Sequence, residues 1–249
     1  MNDFINKYVK LEPQQTTLSM LFMYMSIAYL FGLAVRMMLW YQVAPIESFW
    51  LDGNPIPIYS PDAGLYGYYA KQLLSGVTYP MTAEYMPGYL IYWLVGIFSL
   101  NIDWVMFLLP AFLAPLVAIP IVLMAHAYHQ AKLGFFAALI GVIGINFYTR
   151  SYLGYMDTDT LNLFFPYMAI ASLMMAMTRR SWLWGVGGVV ALIVFYFWYH
   201  SSIVIIAAIG LMALLLAPLL LRSKKIGMVA FVLIMLGMFF VDLDKVTQR

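Results

Sequence analysis

The chain has 249 residues, of which 64% are hydrophobic and only 10% charged, with a formal net charge of +2. A soluble domain carries about 25% charged residues, so composition excludes an ordinary soluble protein, and the few scattered basic residues make no nucleic-acid surface. Apolar runs of about 20 residues, the length a hydrocarbon core demands, identify an all-α polytopic membrane protein. The alternating ten-residue pattern of a membrane β-barrel is absent, and with no cysteine in the chain there is no disulfide or thiol chemistry.

Residues 1–17, with Lys7 and Lys10, read as a short cytoplasmic arm. The first apolar run is long enough to span and reads as a retained signal anchor rather than a cleavable signal peptide. A transmembrane domain is expected over 18–241, with spans near 18–43, 104–128, 133–148, 161–177, 182–199, 203–221 and 226–241. Pro110, Pro115 and Pro120 recur within the second of these and should bend it. Residues 242–249 read as the start of a further external loop. No internal repeat or soluble domain is visible.

The apolar run 89–100 is short for a span and suits a buried or interfacial helix. Lys and Arg collect in cytoplasmic loops, and this rule decides the matter. If 89–100 does not cross, Lys7, Lys10, Lys132, Arg179, Arg180, Arg222, Lys224 and Lys225 all fall on the cytoplasmic side. Seven spans follow, with a long first external loop over 44–102 that contains non-spanning helices, and a second over 149–160. Asp62 then shares a membrane face with Asp157 and Asp159.

Four stretches carry candidate chemistry. Ser60-Pro61-Asp62 has the form of a helix start, with Ser60 as cap and Pro61 in the first turn; Asp62 either serves the helix dipole or presents a carboxylate at the membrane surface. Asp157-Thr158-Asp159 either caps the helix that follows or, in an extended segment, turns two carboxylates toward one hard cation such as Mg²⁺ or Mn²⁺. Arg150 pairs with one of these aspartates, binds a phosphate, or snorkels at the interface. Trp198-Tyr199-His200-Ser201-Ser202 reads either as an interfacial aromatic belt or as part of a site. None of the three histidines has metal-site spacing.

An external Asp before a Tyr-rich helix, then Arg-x-x-x-Gly-Tyr-x-Asp-Thr-Asp before a span, then Trp-Tyr-x-Ser-Ser, in that order, resembles the N-terminal membrane part of oligosaccharyltransferase catalytic subunits. The likeness is nearest to the bacterial single-subunit (PglB-like) type. The resemblance implies a GT-C-type transmembrane bundle in the cell (inner) membrane, with its active face periplasmic. It implies transfer of an oligosaccharide from a polyprenyl pyrophosphate (undecaprenyl if bacterial) to the Asn of Asn-x-Ser/Thr in an acceptor protein. Carried over residue by residue, Asp62 and Asp157 resemble ligands of a divalent metal, Mn²⁺ or Mg²⁺. Asp159 resembles the neighbouring acidic group that shapes the site, Arg150 its basic companion, and Tyr199 a residue lining the lipid-linked donor. His200 stands where bacterial relatives can have Pro, so no role transfers to it.

Members of the family add a further acidic ligand and a C-terminal soluble domain with a Trp-Trp-Asp-Tyr-Gly signature. Neither is in this sequence, so the expectation is an N-terminal fragment, inactive alone: a truncated gene product, a fragment, or one part of a split enzyme whose other half is a separate chain. Two other readings stay open: another polyprenyl-phosphate-sugar GT-C transferase, and a non-enzymatic transporter or assembly subunit. A transporter should place ionisable groups at mid-membrane, whereas the carboxylates here gather toward one surface.

Overall fold

The computed structural model describes residues 14–56, 60–179 and 181–220, and it is almost wholly helical. Its helices are α1 (Leu18–Met37), α2 (Leu39–Val43), α3 (Pro61–Leu74), α4 (Met86–Phe98), α5 (Ile102–Leu113), α6 (Ala118–Ala127), α7 (Ala131–Val142), α8 (Ile145–Tyr148), α9 (Asp159–Asn162), α10 (Phe164–Arg179), α11 (Trp182–Trp198) and α12 (Ser202–Leu220). A two-stranded hairpin, β1 (Trp50–Leu51) with β2 (Asn54–Pro55), lies between α2 and α3.

Three helical stretches are long and apolar enough to cross a membrane: Leu18–Val43, Ile102–Ala127 and Asp159–Arg179. Four shorter apolar helices accompany them: Met86–Phe98, Ala131–Val142, Trp182–Trp198 and Ser202–Met212. Residues 1–13 of the expected arm over 1–17, the expected span 226–241 and the expected loop 242–249 lie outside the described residues. The expected span 133–148 is divided, because the helix stops at Val142 and restarts at Ile145 after Gly144. The proline-rich span passes through a 3₁₀ turn at Ala114–Val117. Pro115 has no N–H to give an α-helical bond and its ring crowds the preceding turn.

The bundle has two distinguishable ends. At one, the Gln14 amide donates to the His129 carbonyl and the Lys132 amide to the Gln14 side chain, while Arg179 meets His126 at 3.1 Å. Lys132 and Arg179 therefore gather where α1 begins. At the other end, where α1 finishes, Arg36 reaches Ser151, and the aspartate-bearing segment begins there.

Two close approaches hold the acidic end together. Helix α4 lies so near α3 that a Cβ at Gly88 would fall 2.8 Å from the Tyr69 Cβ and 3.3 Å from the Tyr66 carbonyl. A Cβ at Gly67 would likewise sit 2.7 Å from the Met106 sulfur on α5. Around these contacts Tyr66, Tyr69, Ile91, Met106, Met156, Leu161 and Trp198 form one buried cluster. Close van der Waals packing of this kind, which drives helix association in a membrane, fixes α3, α4, α5, α9 and the end of α11 against one another.

Candidate active site

Ser60 starts α3 in the expected manner. Its backbone is extended (φ −114°, ψ 147°), its hydroxyl oxygen accepts from the Ala63 amide at 3.2 Å, and Pro61 follows in the first turn. The same hydroxyl donates to the Met156 carbonyl at 3.0 Å. One buried serine thus ties the segment carrying Asp62 to the segment carrying Asp157, which comes directly after Met156.

The 150–159 segment is pinned along its length. Leu153 and Met156 are fully buried. Gly154 adopts φ +78°, a conformation that favours glycine, and its amide donates to the Phe107 carbonyl at 2.7 Å. Thr158 is right-handed helical rather than extended (φ −60°, ψ −25°), and α9 begins at Asp159. The two carboxylates therefore lie in a loop on either side of the start of a helical turn rather than along an extended strand.

Their partners differ accordingly. Asp159 makes an ion pair with Arg150 at 2.6 Å and accepts from the Asn162 amide at 2.9 Å. Asp157 accepts from the Thr158 hydroxyl at 3.2 Å, while its backbone carbonyl accepts from Thr160 at 2.8 Å. The residue at the cap position of α9, Thr158, makes no side-chain cap bond. Of the two aspartates open to Arg150 as partners, it pairs with Asp159.

Electrostatics links these groups to Asp62. Burial pushes the Asp157 carboxyl above the usual carboxylate range, the Asp159 and Asp62 charges push it further, and hydrogen bonds from Thr158 partly offset the rise. Tyr66, buried on α3, is pushed up mainly by burial and then by Asp62 and Asp157, with a Thr158 hydrogen bond acting the other way. Burial and the nearby Asp157 also raise Tyr155. Two aspartates from distant parts of the sequence and a phenol that keeps its proton therefore share one neighbourhood.

Hard oxygen donors under mutual repulsion suit Mg²⁺ or Mn²⁺ in kind. In number they fall short: among the described residues no group of three or more His, Cys, Asp or Glu is arranged to hold a metal ion. The donor set is a partial one.

The end of α11 completes the neighbourhood. Trp198 is buried and donates its indole N–H to the Thr158 carbonyl at 2.7 Å. Tyr199 packs partly buried at the edge of the same cluster, stacked on Phe195 and edge-on to His200. An aromatic belt alone does not account for the Trp198 bond; sequence reasoning named Ser60 only as a helix cap and Trp198 only within the Trp-Tyr-x-Ser-Ser stretch, and did not single out Tyr66. The signal was present only as a juxtaposition, since Ser60 precedes Asp62, Tyr66 lies one helical turn after it, and Trp198 heads the Trp-Tyr-x-Ser-Ser stretch.

Fold and site together define a helical membrane protein whose acidic groups collect at one end of the bundle. The family model described as "Oligosaccharyl transferase STT3, N-terminal" matches residues 66–244, well over half of the chain, and the chain belongs to that family. Arg150, Asp157, Asp159 and Tyr199 fall inside the match, and Asp62 lies just before it. The chain is 29% identical over 149 residues to proteins named undecaprenyl-diphosphooligosaccharide–protein glycotransferase from two strains of Campylobacter jejuni, RM1221 and serotype O:2 ATCC 700819 / NCTC 11168. Those matches cover 59% of this chain and 21% of each relative, so the matched stretch spans about a fifth of their length.

Proposed function

We propose that the chain is the N-terminal membrane portion of an oligosaccharyltransferase of protein N-glycosylation. The reaction moves an oligosaccharide from undecaprenyl pyrophosphate to the amide nitrogen of Asn in Asn-x-Ser/Thr. Family membership supports the reaction class, and the names of the Campylobacter relatives specify the donor and a protein acceptor. The observation that carries the reading is the Ser60 hydroxyl, which donates to the Met156 carbonyl at 3.0 Å, because it joins the two acidic segments that such a site requires.

An amide nitrogen is a poor nucleophile because its lone pair is delocalised into the carbonyl. Asp62 and Asp157 accept hydrogen bonds from the acceptor amide N–H groups, which withdraws the nitrogen from that conjugation. Asp159, held by Arg150 and Asn162, fixes the first turn of α9 and keeps Asp157 in place. Tyr66 retains its proton and offers a donor to an oxygen brought beside Thr158. Tyr199, at the edge of the cluster, lines the donor lipid. Asp62 and Asp157 would hold Mn²⁺ or Mg²⁺, which when bound neutralises charge on the pyrophosphate leaving group.

This reading places the chain as a multi-pass protein of the cell membrane with its acidic end on the periplasmic side. The gathering of Lys132 and Arg179 at the opposite end supports that orientation. The match covers about a fifth of each relative and the donor set among the described residues is partial; in this reading the chain acts together with further groups.

The test uses the chain in nanodiscs. Binding of an undecaprenyl-pyrophosphate-linked saccharide is expected, strengthened by Mn²⁺ and weakened by Asp157→Asn. Identical binding to the wild type and the variant, with or without Mn²⁺, sinks the site assignment. Glycosylation of an Asn-x-Thr peptide by the purified chain alone would overturn the need for further groups.

A further inference from the structure

We propose that Arg36, at the end of the first membrane helix, is a positioning residue that sets the place of the acidic 151–159 segment by clamping Ser151 and the end of α7. The proposal rests on the reading of Asp157 as a site residue. Arg36 is completely buried, with 0% of its surface exposed. Its Nε donates to the Ser151 carbonyl at 2.9 Å and its Nη2 to the Ser151 hydroxyl at 2.8 Å. Its Nη1 donates to the Val142 carbonyl at 3.0 Å and to the Gly32 carbonyl at 3.1 Å. The guanidinium also lies 5.2 Å from the Phe147 ring centre and 5.7 Å from that of Tyr148.

The choice of partners is informative. A buried charge is ordinarily neutralised by an opposite one, but among the described residues the ion pair is Arg150 with Asp159, and Arg36 meets carbonyls, a hydroxyl and ring faces. These cradle the cation without cancelling it. An ionisable group in a membrane helix is costly and marks function by default, and an apolar residue at this point would pack α1 without that cost. What an apolar residue lacks is the planar fork that grips several backbone sites in fixed directions. Here the fork bridges three places: its own helix, the end of α7 before the break at Gly144, and the residue that opens the acidic segment.

From Ser151 the constraint passes along a pinned chain. Leu153 is buried, Gly154 is bonded to Phe107, and Met156 is buried with its carbonyl on Ser60. Asp157 follows. Little slack remains between the clamp and the carboxylate, so a shift at Ser151 is delivered to Asp157. The geometry at Gly32 permits the arrangement, since a Cβ there would lie 3.1 Å from both the Pro115 and Val142 Cβ atoms, and this close approach brings the Val142 carbonyl within reach.

The absence of cysteine makes the test clean. A nitroxide is attached at Tyr155→Cys in the segment, or at the exposed reference site Trp182→Cys, in the full chain in nanodiscs. Each label is combined with Arg36, Arg36→Lys, Arg36→Met or Ser151→Ala. The expected result is a loosened spectrum at 155 for Arg36→Met, an intermediate one for Arg36→Lys and Ser151→Ala, and an unchanged spectrum at 182 throughout. Mn²⁺ affinity, read from the signal of the free ion, falls about tenfold or more for Arg36→Met, the scale seen when a group that orients metal ligands is lost. An unchanged spectrum at 155 overturns the proposal, and so does equal loosening at 155 and 182, which marks a merely structural role. If Arg36→Met does not fold, Arg36→Lys and Ser151→Ala decide by the same criterion. Failure of the wild type to bind Mn²⁺ counts against the metal reading alone, because the spectra at 155 and 182 still decide the clamp.

Discussion

The indole N–H of Trp198 donates to the Thr158 carbonyl at 2.7 Å, joining the last turn of α11 to the peptide between the two loop aspartates. The bond is buried, and it anchors the turn at which Asp157 and Asp159 take different partners. An aromatic residue at a membrane surface usually needs no explanation beyond the interface itself. This one holds the backbone of the candidate site.

Replacing Trp198 with Phe keeps most of the apolar contact but removes the indole donor, leaving the Thr158 carbonyl with the Leu161 amide alone. A lost hydrogen bond of this kind costs about 0.5–1.5 kcal/mol. Thermal unfolding in detergent should show a loss on that scale, and binding of a lipid-linked saccharide should fall with it. Undiminished stability and binding would show that the bond is incidental.

Asp157 governs a pH dependence whose sign is fixed by its surroundings. The folded protein holds the Asp157 proton more tightly than the unfolded chain does, because burial, Asp159 and Asp62 all favour the neutral acid. The associated stability is fully present below the ordinary carboxylate value and is lost as pH rises through the raised folded value. With a chelator present, Asp157→Asn should therefore flatten the stability–pH profile and match or exceed the wild type at neutral pH. Added Mn²⁺ should stabilise the wild type and leave Asp157→Asn unmoved.

The α3–α4 contact gives a paired test on glycines. Gly88→Ala forces a methyl to 2.8 Å from the Tyr69 Cβ and against the Tyr66 backbone, and overpacking of this kind costs about 1–3 kcal/mol. At Gly64, also on α3, a Cβ meets nothing within 4 Å, so Ala there should be neutral or stabilise by up to about 1 kcal/mol through helix propensity. Unfolding midpoints of the two variants that move together would contradict the packing described.

Arg150 and Asp159 form an ion pair whose side chains are 64% and 23% exposed. Exposed pairs are weak and screened by salt, so Arg150→Gln should barely move the unfolding midpoint. If Asp159 nevertheless orders the first turn of α9 for function, Arg150→Gln should lower donor binding more at low salt than at high salt. A large stability loss with no salt dependence would assign Arg150 a different role.

The sequence by itself determined what depends on local chemistry and composition. Apolar runs located the helices described within 14–220, Ser60-Pro61 marked the start of α3, the prolines marked the 3₁₀ interruption at Ala114–Val117, and the spacing of acidic groups drew attention to Asp62, Asp157 and Asp159. Each of these follows from a residue's own backbone preference or from its neighbours a few positions away. Only the tertiary structure decided which aspartate Arg150 takes, that Ser60 reaches Met156, that Trp198 bonds to Thr158, and that Arg36 is buried against Ser151. Apart from the Arg150 pair, these partners lie far apart in the chain, and hydrophobic periodicity says which face of a helix is buried without saying what meets it. The break between α7 and α8 was also hidden, because an apolar run reads alike whether its helix continues or stops at a glycine.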